Sequence, residues 1–188
     1  MGVRVLGIGG TYRPLSSTEQ SLRIALASAA AHGAEIELLG AEALDLPMFR
    51  PAADAALTAK ALHLVTEVRR ADALIIGSPG YHGGISGLVK NALDYLEELR
   101  ADPHPYLHGK AVGLITTGAG WQATSTTMAA LRDVVHALRG WPTPLGVGVN
   151  TSEVKFAADG ACSSAQVAEQ LRLVGEQVTK FALRGALV

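Results

Sequence analysis

Several features that would define a protein class are scarce or missing in this sequence. Cys162 is the single cysteine among 188 residues, which excludes an internal disulfide and a cysteine-built metal cluster and fits a reducing compartment. The formal net charge is −1, so no excess of positive charge points to nucleic acid or to an acidic membrane surface. No apolar run approaches the ~20 residues that span a bilayer, and the opening MGVRVLGIGG lacks the features of a signal peptide. The expectation is a cytoplasmic protein that binds neither nucleic acid nor membrane.

Familiar phosphate and metal motifs are also missing. The Walker pattern needs Gly-Lys followed by Ser or Thr, and its absence disfavours an NTPase. The dinucleotide fingerprint G-x-G-x-x-G begins at Gly7 and Gly9, but Tyr12 occupies its third glycine position and would obstruct close packing of helix on strand. The six histidines show no metal-ligand spacing. No metal site is expected, and a mononucleotide phosphate fits the sequence better than NAD.

What the chain does have is a regular alternation of short apolar runs with helical patterns. Strands are predicted at residues 3–9, 35–39, 73–77, 110–117 and 145–149. Helices are predicted at residues 18–32, 54–70, 86–99, 124–139 and 163–183, with Gly140, Trp141 and Pro142 closing the fourth. Strands that alternate with helices pair in parallel through right-handed crossovers. The sequence therefore predicts one α/β domain over residues 1–188, a doubly wound three-layer sandwich.

The first loop, GGTYRPLSST at residues 9–18, has the composition of an anion site. It offers the Arg13 guanidinium, the free N–H groups of the following helix and several hydroxyls, those of Thr11, Ser16, Ser17 and Thr18. A simple N-cap is the ordinary alternative, but one hydroxyl would satisfy a cap. We therefore interpret the loop as a phosphate site.

The next two loops at the same predicted sheet edge are SPGYHGG, residues 78–84, and TTGAGWQATST, residues 116–126. In the flavodoxin-like strand order 2-1-3-4-5, ligands bind at the carboxyl ends of the strands flanking the switch point between strands 1 and 3. Glycines there would let the backbone approach a flat heterocycle, and the Tyr81 and His82 side chains could pack against it. Trp121 suits either a cover for a ring or a subunit contact, and both alternatives stay open.

In this order and spacing the motifs resemble those of the NAD(P)H-dependent FMN reductases of the flavodoxin-like fold, including the reductase components of alkanesulfonate monooxygenases. GGTYRPLSST is similar to the family's Gly-Ser-x-Arg…Ser loop, with Thr11 in the serine position. DLPMF (45–49) resembles its Leu-Pro-aromatic segment, SPGYHGGISGLVKNALDY (78–95) its Thr-Pro-x-Tyr…Pro-Gly-x-Leu-Lys-Asn-Ala-x-Asp stretch, and FAADG (156–160) its Phe-x-x-Asp-Gly. The sequence departs from the family's pattern at two positions: Ser86 stands where many relatives have proline, and Ser17 stands where some have arginine.

The resemblance implies a flavodoxin-like, five-stranded parallel sheet in the order 2-1-3-4-5, with FMN and NADPH or NADH as cofactors. It places the FMN phosphate on Thr11, Arg13, Ser16, Ser17 and Thr18. It places the isoalloxazine on Pro79, Gly80, Tyr81, His82, Gly83 and Gly84, with Thr117, Gly118 and Gly120 opposite. It also implies a homodimer or homotetramer, for which Leu88, Leu93, Tyr95 and Leu96 are candidate contacts unless they pack in the core.

The chemistry implied by this family is hydride transfer from nicotinamide C4 to flavin N5, which needs no catalytic side chain because the flavin carries the reaction. Two variants stay open: FMN exchanges and FMNH2 supplies a partner monooxygenase, or FMN stays bound and reduces quinones, azo dyes, nitroaromatics or chromate-type oxyanions. A flavodoxin-like electron carrier is a third alternative, disfavoured by the near-zero net charge because carriers dock through acidic surfaces. A regulatory domain without a cofactor is a fourth, and it would not need three such loops.

Overall fold

The computed structural model describes residues 2–51 and 57–185. The strands are β1 (Arg4–Gly9), β2 (Glu35–Leu39), β3 (Ala73–Tyr81), β4 (Gly84–Ile85), β5 (Ala111–Gly118) and β6 (Trp141–Asn150). The helices are α1 (Ser17–Ala31), α2 (Ala59–Arg70), α3 (Gly87–Asp94), α4 (Trp121–Ala137) and α5 (Ala165–Gly185), with a 3₁₀ helix at Tyr95–Leu99 directly after α3.

The main sheet has the predicted topology. Its strands lie in the order β2-β1-β3-β5-β6, and every neighbouring pair is parallel. The strand order 2-1-3-4-5 is thus confirmed once the short β4 is set aside. The carboxyl ends of β1, β3 and β5 lie side by side, so the loops that follow them share one edge of the sheet.

The sheet is buried between two helical layers. On one face, α1 and α5 pack over residues that include Val5, Ile75 and Ile115. On the other face, α2, α3 and α4 pack over Leu6, Leu74 and Leu114. Neighbouring residues of one strand point to opposite faces, and a strand that is buried on both faces must be apolar throughout. This explains why the central runs lack polar alternation.

The stretch SPGYHGG differs from the predicted loop. β3 continues to Tyr81 and turns back into β4, with Gly80 opposite Ile85 and Tyr81 opposite Gly84. His82 and Gly83 form the two-residue turn with φ of 50° and 90°, the positive pair that characterises the type I′ hairpin. The difference has a local cause: turn residues predict the end of a strand, but here they form a hairpin that joins β3 to β4.

A Gly83→Ala variant tests this hairpin. We expect it to lower the free energy of unfolding by about 1 kcal/mol, because an alanine is strained at this positive φ although no atom lies within 4 Å of the new Cβ. Asparagine tolerates the left-handed region, so His82→Asn is the matched control and should retain or slightly raise stability. Urea unfolding measures both. Equal stability of Gly83→Ala and the wild type would contradict the turn assignment.

Several helix boundaries also differ from the predictions. α2 begins at Ala59 rather than Asp54, because Thr58 caps it by accepting the Ala61 N–H at 3.3 Å; residues 54–56 of the predicted helix lie outside the described residues. The predicted helix 86–99 changes to 3₁₀ geometry at Tyr95. Trp141 and Pro142 do not close a helix but begin β6, where proline is tolerated because β6 is an edge strand.

Candidate functional site: the cleft at the carboxyl edge of the sheet

The amino-terminal end of α1 presents unbonded backbone donors at the sheet edge. Ser16 is the N-cap, and its Oγ accepts the Glu19 N–H at 3.3 Å while its carbonyl accepts the Gln20 N–H at 2.9 Å. The N–H groups of Ser17 and Thr18 lie in the first turn of the helix, where no carbonyl of the helix is available to accept their hydrogen bonds. With the positive end of the helix dipole they form a site suited to an anion.

The hydroxyls of the first loop have separate roles, which sequence reasoning did not distinguish. Thr18 Oγ1 lies 2.7 Å from Thr117 Oγ1, and both side chains are buried, so this pair joins the first loop to the third. Thr11 Oγ1 accepts the Arg13 N–H at 3.2 Å and shapes the loop. With Ser16 used as the cap, Ser17 is the member of this set whose hydroxyl has no hydrogen bond within the described part of the chain.

The first loop also holds one strained residue and one exposed cation. Leu15 has a φ of 51° and is 53% exposed, an unusual conformation for a leucine and one that costs about 1–3 kcal/mol. Arg13 is exposed and forms no ion pair with any residue that the structure describes. Such strain concentrates at ligand-binding loops, and an unpaired guanidinium is available to an anion.

Three loops enclose a cleft of about 390 Å³, a size typical of small-molecule sites. Its lining includes most of the predicted site residues: Thr11, Arg13, Ser16, Ser17, Thr18, Pro79, Gly80, Tyr81, Thr117 and Gly118. Ala119 and Thr151 complete it and were not predicted. His82, Gly83, Gly84 and Gly120 do not line this cleft: the first three lie at the hairpin tip and Gly120 directly precedes α4.

Two glycines of this region, Gly80 and Gly118, lie against α4 with little room for a side chain. A Cβ at Gly80 would lie 2.6 Å from Thr127 Oγ1 and 2.8 Å from the Ala123 carbonyl oxygen, so this glycine allows α4 to pack against the hairpin. A Cβ at Gly118 would lie 3.0 Å from the Ala123 Cβ. Packing of the neighbouring helix is thus one reason for glycine at these two positions, and close approach to a ligand stays a prediction.

Two further motifs acquire structural roles that sequence reasoning missed. Asn91 accepts the Phe49 N–H at 2.8 Å and donates to the Pro47 carbonyl oxygen at 3.0 Å, which Tyr95 also reaches at 3.0 Å. The segment DLPMF is thus fixed to α3.

Ser86 caps α3 by accepting the Val89 N–H at 3.3 Å, and its own N–H donates to Ser78 Oγ at 3.0 Å. A polar residue just before a helical pattern was the available signal for this cap.

The candidate subunit contacts are mostly core residues. Leu93, Tyr95 and Leu96 are buried within this chain, and Leu88 packs partly against the same core. Trp121 is 53% exposed and donates from Nε1 to Glu153 Oε1 at 3.1 Å. That placement is compatible with a ring cover and with a subunit contact alike.

Across residues 2–51 and 57–185, no three side chains among His, Cys, Asp and Glu come together as metal ligands. In the same ranges, no helix combines the length and the apolar character needed to cross a bilayer.

The fold belongs to the flavodoxin-like class. A WrbA-like flavodoxin from Agrobacterium tumefaciens superposes over 97% of this chain and 98% of its own with a TM-score of 0.67 at 18% identity. FerB, an NAD(P)H:(acceptor) oxidoreductase from Paracoccus denitrificans, matches 97% of this chain and 98% of its own with a TM-score of 0.76 at 19% identity. At these identities the superpositions show the fold alone, and they confirm the predicted one.

The chain belongs to the NADPH-dependent FMN reductase family, whose model matches residues 3–153. An FMN-dependent NADPH-azoreductase from Staphylococcus saprophyticus is 34% identical over 122 residues, which cover 63% of this chain and 60% of that protein. A Staphylococcus aureus protein of the same name is 34% identical over 113 residues, which cover 59% and 56%. The chain thus spans less than two thirds of these relatives' lengths. The predicted family is confirmed, and its description names FMN and NADPH, which were predicted with NADH as the alternative to NADPH.

Proposed function

We propose that this protein binds FMN in the cleft of about 390 Å³ and transfers a hydride to it from NADPH or NADH. The observation that supports the proposal most directly is the convergence of Ser17, Arg13 and Pro79–Tyr81 on one cleft at the end of α1. Family membership supports the same cofactor pair. Residues 1–188 form one FMN-binding domain under this proposal.

The first loop fits a phosphate group. The N–H groups of Ser17 and Thr18, the Ser17 hydroxyl and the Arg13 guanidinium supply donors on one side of the cleft. Charge-assisted hydrogen bonds from such donors are stronger than those between neutral groups. Thr11 and Ser16 shape and cap the loop, so they hold the donors in place.

The second and third loops would position the ring system. When bound, FMN supplies two-electron redox chemistry, so the protein contributes binding, orientation and exclusion of water. The Thr18–Thr117 hydrogen bond fixes the distance between the phosphate end and the third loop. No side chain of the cleft is assigned as nucleophile or base. Residues 82–84 and Gly120 stay predicted ring contacts, since they adjoin the cleft-lining residues in sequence.

Three finer features are part of the same proposal. The protein acts in the cytoplasm, which agrees with its single cysteine. It assembles as a homodimer or homotetramer, and the exposed Trp121 at the start of α4 is a candidate contact. In the exchange variant it supplies FMNH2 to a partner monooxygenase.

A second candidate function is a reductase that retains FMN and reduces an added acceptor such as an azo dye or quinone. The relatives from Staphylococcus saprophyticus and Staphylococcus aureus, both named FMN-dependent NADPH-azoreductase, favour this variant. The anchored phosphate loop favours it as well, because several donors at one phosphate slow dissociation.

The visible spectrum of the purified protein and its NADPH oxidation during an FMN titration separate these functions. Yellow protein that oxidises NADPH only when a dye or quinone is added indicates the bound-flavin reductase. Colourless protein with saturable, FMN-dependent oxidation indicates the flavin-supplying reductase. FMN binding without NADPH oxidation would indicate an electron carrier, and the absence of both would overturn the proposal.

A further inference from the structure

A second cleft lies beside the first at the same sheet edge. It measures about 350 Å³ and shares four lining residues with the proposed flavin cleft, namely Thr11, Arg13, Pro79 and Tyr81. Its other walls are Gly10, Tyr12 and the start of α3 at residues 86–88. A ligand in this second cleft would therefore adjoin a flavin in the first and share these residues with it.

Two tyrosines border this cleft with most of their surface uncovered. Tyr12 is 66% exposed and Tyr81 is 56% exposed. Neither ring packs against another aromatic ring within the part of the chain that the structure describes. Exposed aromatic faces at the border of a cleft are available for stacking with a flat ligand.

Tyr12 is held in place although it is exposed. Its hydroxyl donates to Asp45 Oδ1 at 2.8 Å, across 33 residues of sequence. The hydrogen bond to the Asp45 carboxylate raises the pKa of the Tyr12 phenol above its ordinary value, which agrees with the phenol as the donor of this bond. This bond links the first loop to the segment after β2 and restricts where the ring can point.

The charge of the lining favours an anion. Arg13 is the single charged residue that lines this cleft, and every lining residue belongs to the part of the chain that the structure describes. Asp45 is engaged by the Tyr12 hydroxyl and is not part of the lining. Arg13 also lines the proposed flavin cleft, and its guanidinium carries enough N–H donors to contact the flavin phosphate and a second acidic group together. A planar ligand with an acidic substituent would therefore meet aromatic surface and a cation that it shares with the flavin phosphate.

We propose that Tyr12, positioned by Asp45, forms with Tyr81 a slot for a planar, anionic aromatic electron acceptor beside the flavin cleft. Tyr12 is then a specificity-determining residue and Asp45 a positioning residue. The proposal rests on the proposed function, because an acceptor is useful only beside a redox cofactor. The acceptor site is then formed in part by the first loop, which contains Tyr12.

Binding of a probe that cannot be reduced tests the slot independently of activity. Isothermal titration with naphthalene-2-sulfonate, on protein saturated with FMN and on flavin-free protein, measures affinity. We expect Tyr12→Ala to weaken probe binding about three- to tenfold through the lost stacking surface. Tyr12→Phe and Asp45→Asn both keep an aromatic ring at position 12 but remove or weaken its hydrogen bond to residue 45. We expect these two variants to lose less affinity for the probe than Tyr12→Ala. Neutral 2-naphthol should bind the wild type about two- to fivefold more weakly than the sulfonate.

Trp141→Ala is the matched control, because Trp141 is also an exposed aromatic residue (61% exposed) but begins β6 at the opposite edge of the sheet. The Trp141→Ala variant should bind the probe as tightly as the wild type does. Equal affinity of Tyr12→Ala and the wild type would overturn the proposal, as would displacement of FMN by the probe. Competition by NADP⁺ would assign the slot to nicotinamide and overturn it too. Failure of FMN to bind at all would count against the proposed function, while the flavin-free titration would still report on the slot.

A kinetic split complements the titration. With a sulfonated azo dye as acceptor, Tyr12→Ala should raise KM for the dye about three- to tenfold and leave KM for NADPH unchanged. Equal increases in both KM values would contradict a separate acceptor slot.

Discussion

A Ser17→Pro variant is expected to bind FMN about a hundredfold more weakly than the wild-type protein while keeping its fold. Ser17 is the first residue of α1, the one helical position where proline is well tolerated. Ser16 has φ of −59° and ψ of 155°, the extended conformation that a residue before proline requires. The substitution therefore removes one N–H and one hydroxyl from the proposed phosphate site without disturbing the helix.

The magnitude follows from the lower end of the cost of a lost charge-assisted hydrogen bond, about 1.5 kcal/mol for each of the two, where 1.4 kcal/mol is a tenfold change in affinity. Quenching of FMN fluorescence measures the dissociation constant. Ser17→Ala is the matched control because it lacks only the hydroxyl, and we expect about a tenfold loss. Circular dichroism and the unfolding midpoint confirm that both variants are folded. If folded Ser17→Pro bound FMN as tightly as Ser17→Ala, the backbone N–H would have no part in phosphate binding.

The second large effect is expected at Gly175, where α5 crosses α1. A Cβ there would lie 2.0 Å from the Ala25 carbonyl oxygen and 3.0 Å from the Ala29 nitrogen. Backbone atoms cannot yield as a flexible side chain can, so Gly175→Ala must push the two helices apart. We expect a loss of about 2–3 kcal/mol in the free energy of unfolding, which corresponds to a decrease of roughly 4–12 °C in Tm.

Gly87→Ala is the control for this prediction. Gly87 is also a helical glycine, but no atom lies within 4 Å of its hypothetical Cβ, so alanine should be neutral or stabilise by up to ~1 kcal/mol through helix propensity. Thermal unfolding of the two variants side by side measures the difference. Comparable Tm values would mean that the α1–α5 contact is not as close as the structure has it.

Sequence patterns were sufficient for the element order, because buried parallel strands must be apolar on both faces and the helices between them must carry an apolar stripe. Runs such as 73–77 and 110–117 carry that information locally. The first loop was recognisable as a helix start, because serine and threonine are common N-caps, and Ser16 is the cap. That its remaining donors bind a phosphate stays a prediction. The hairpin at His82 and Gly83 was missed because turn residues indicate a turn but not whether the chain pairs with itself afterwards.

The sequence by itself determined the layered α/β architecture, the strand order by resemblance, and the family to which the chain belongs. Tertiary structure alone decided how the loop hydroxyls divide their tasks, because the Thr18–Thr117 bond joins residues 99 positions apart. It also decided the second cleft, since Tyr12 and Asp45 are brought together only when β1 and β2 pair side by side. Local propensity acts over a few neighbouring residues, whereas these contacts exist only after distant segments pack.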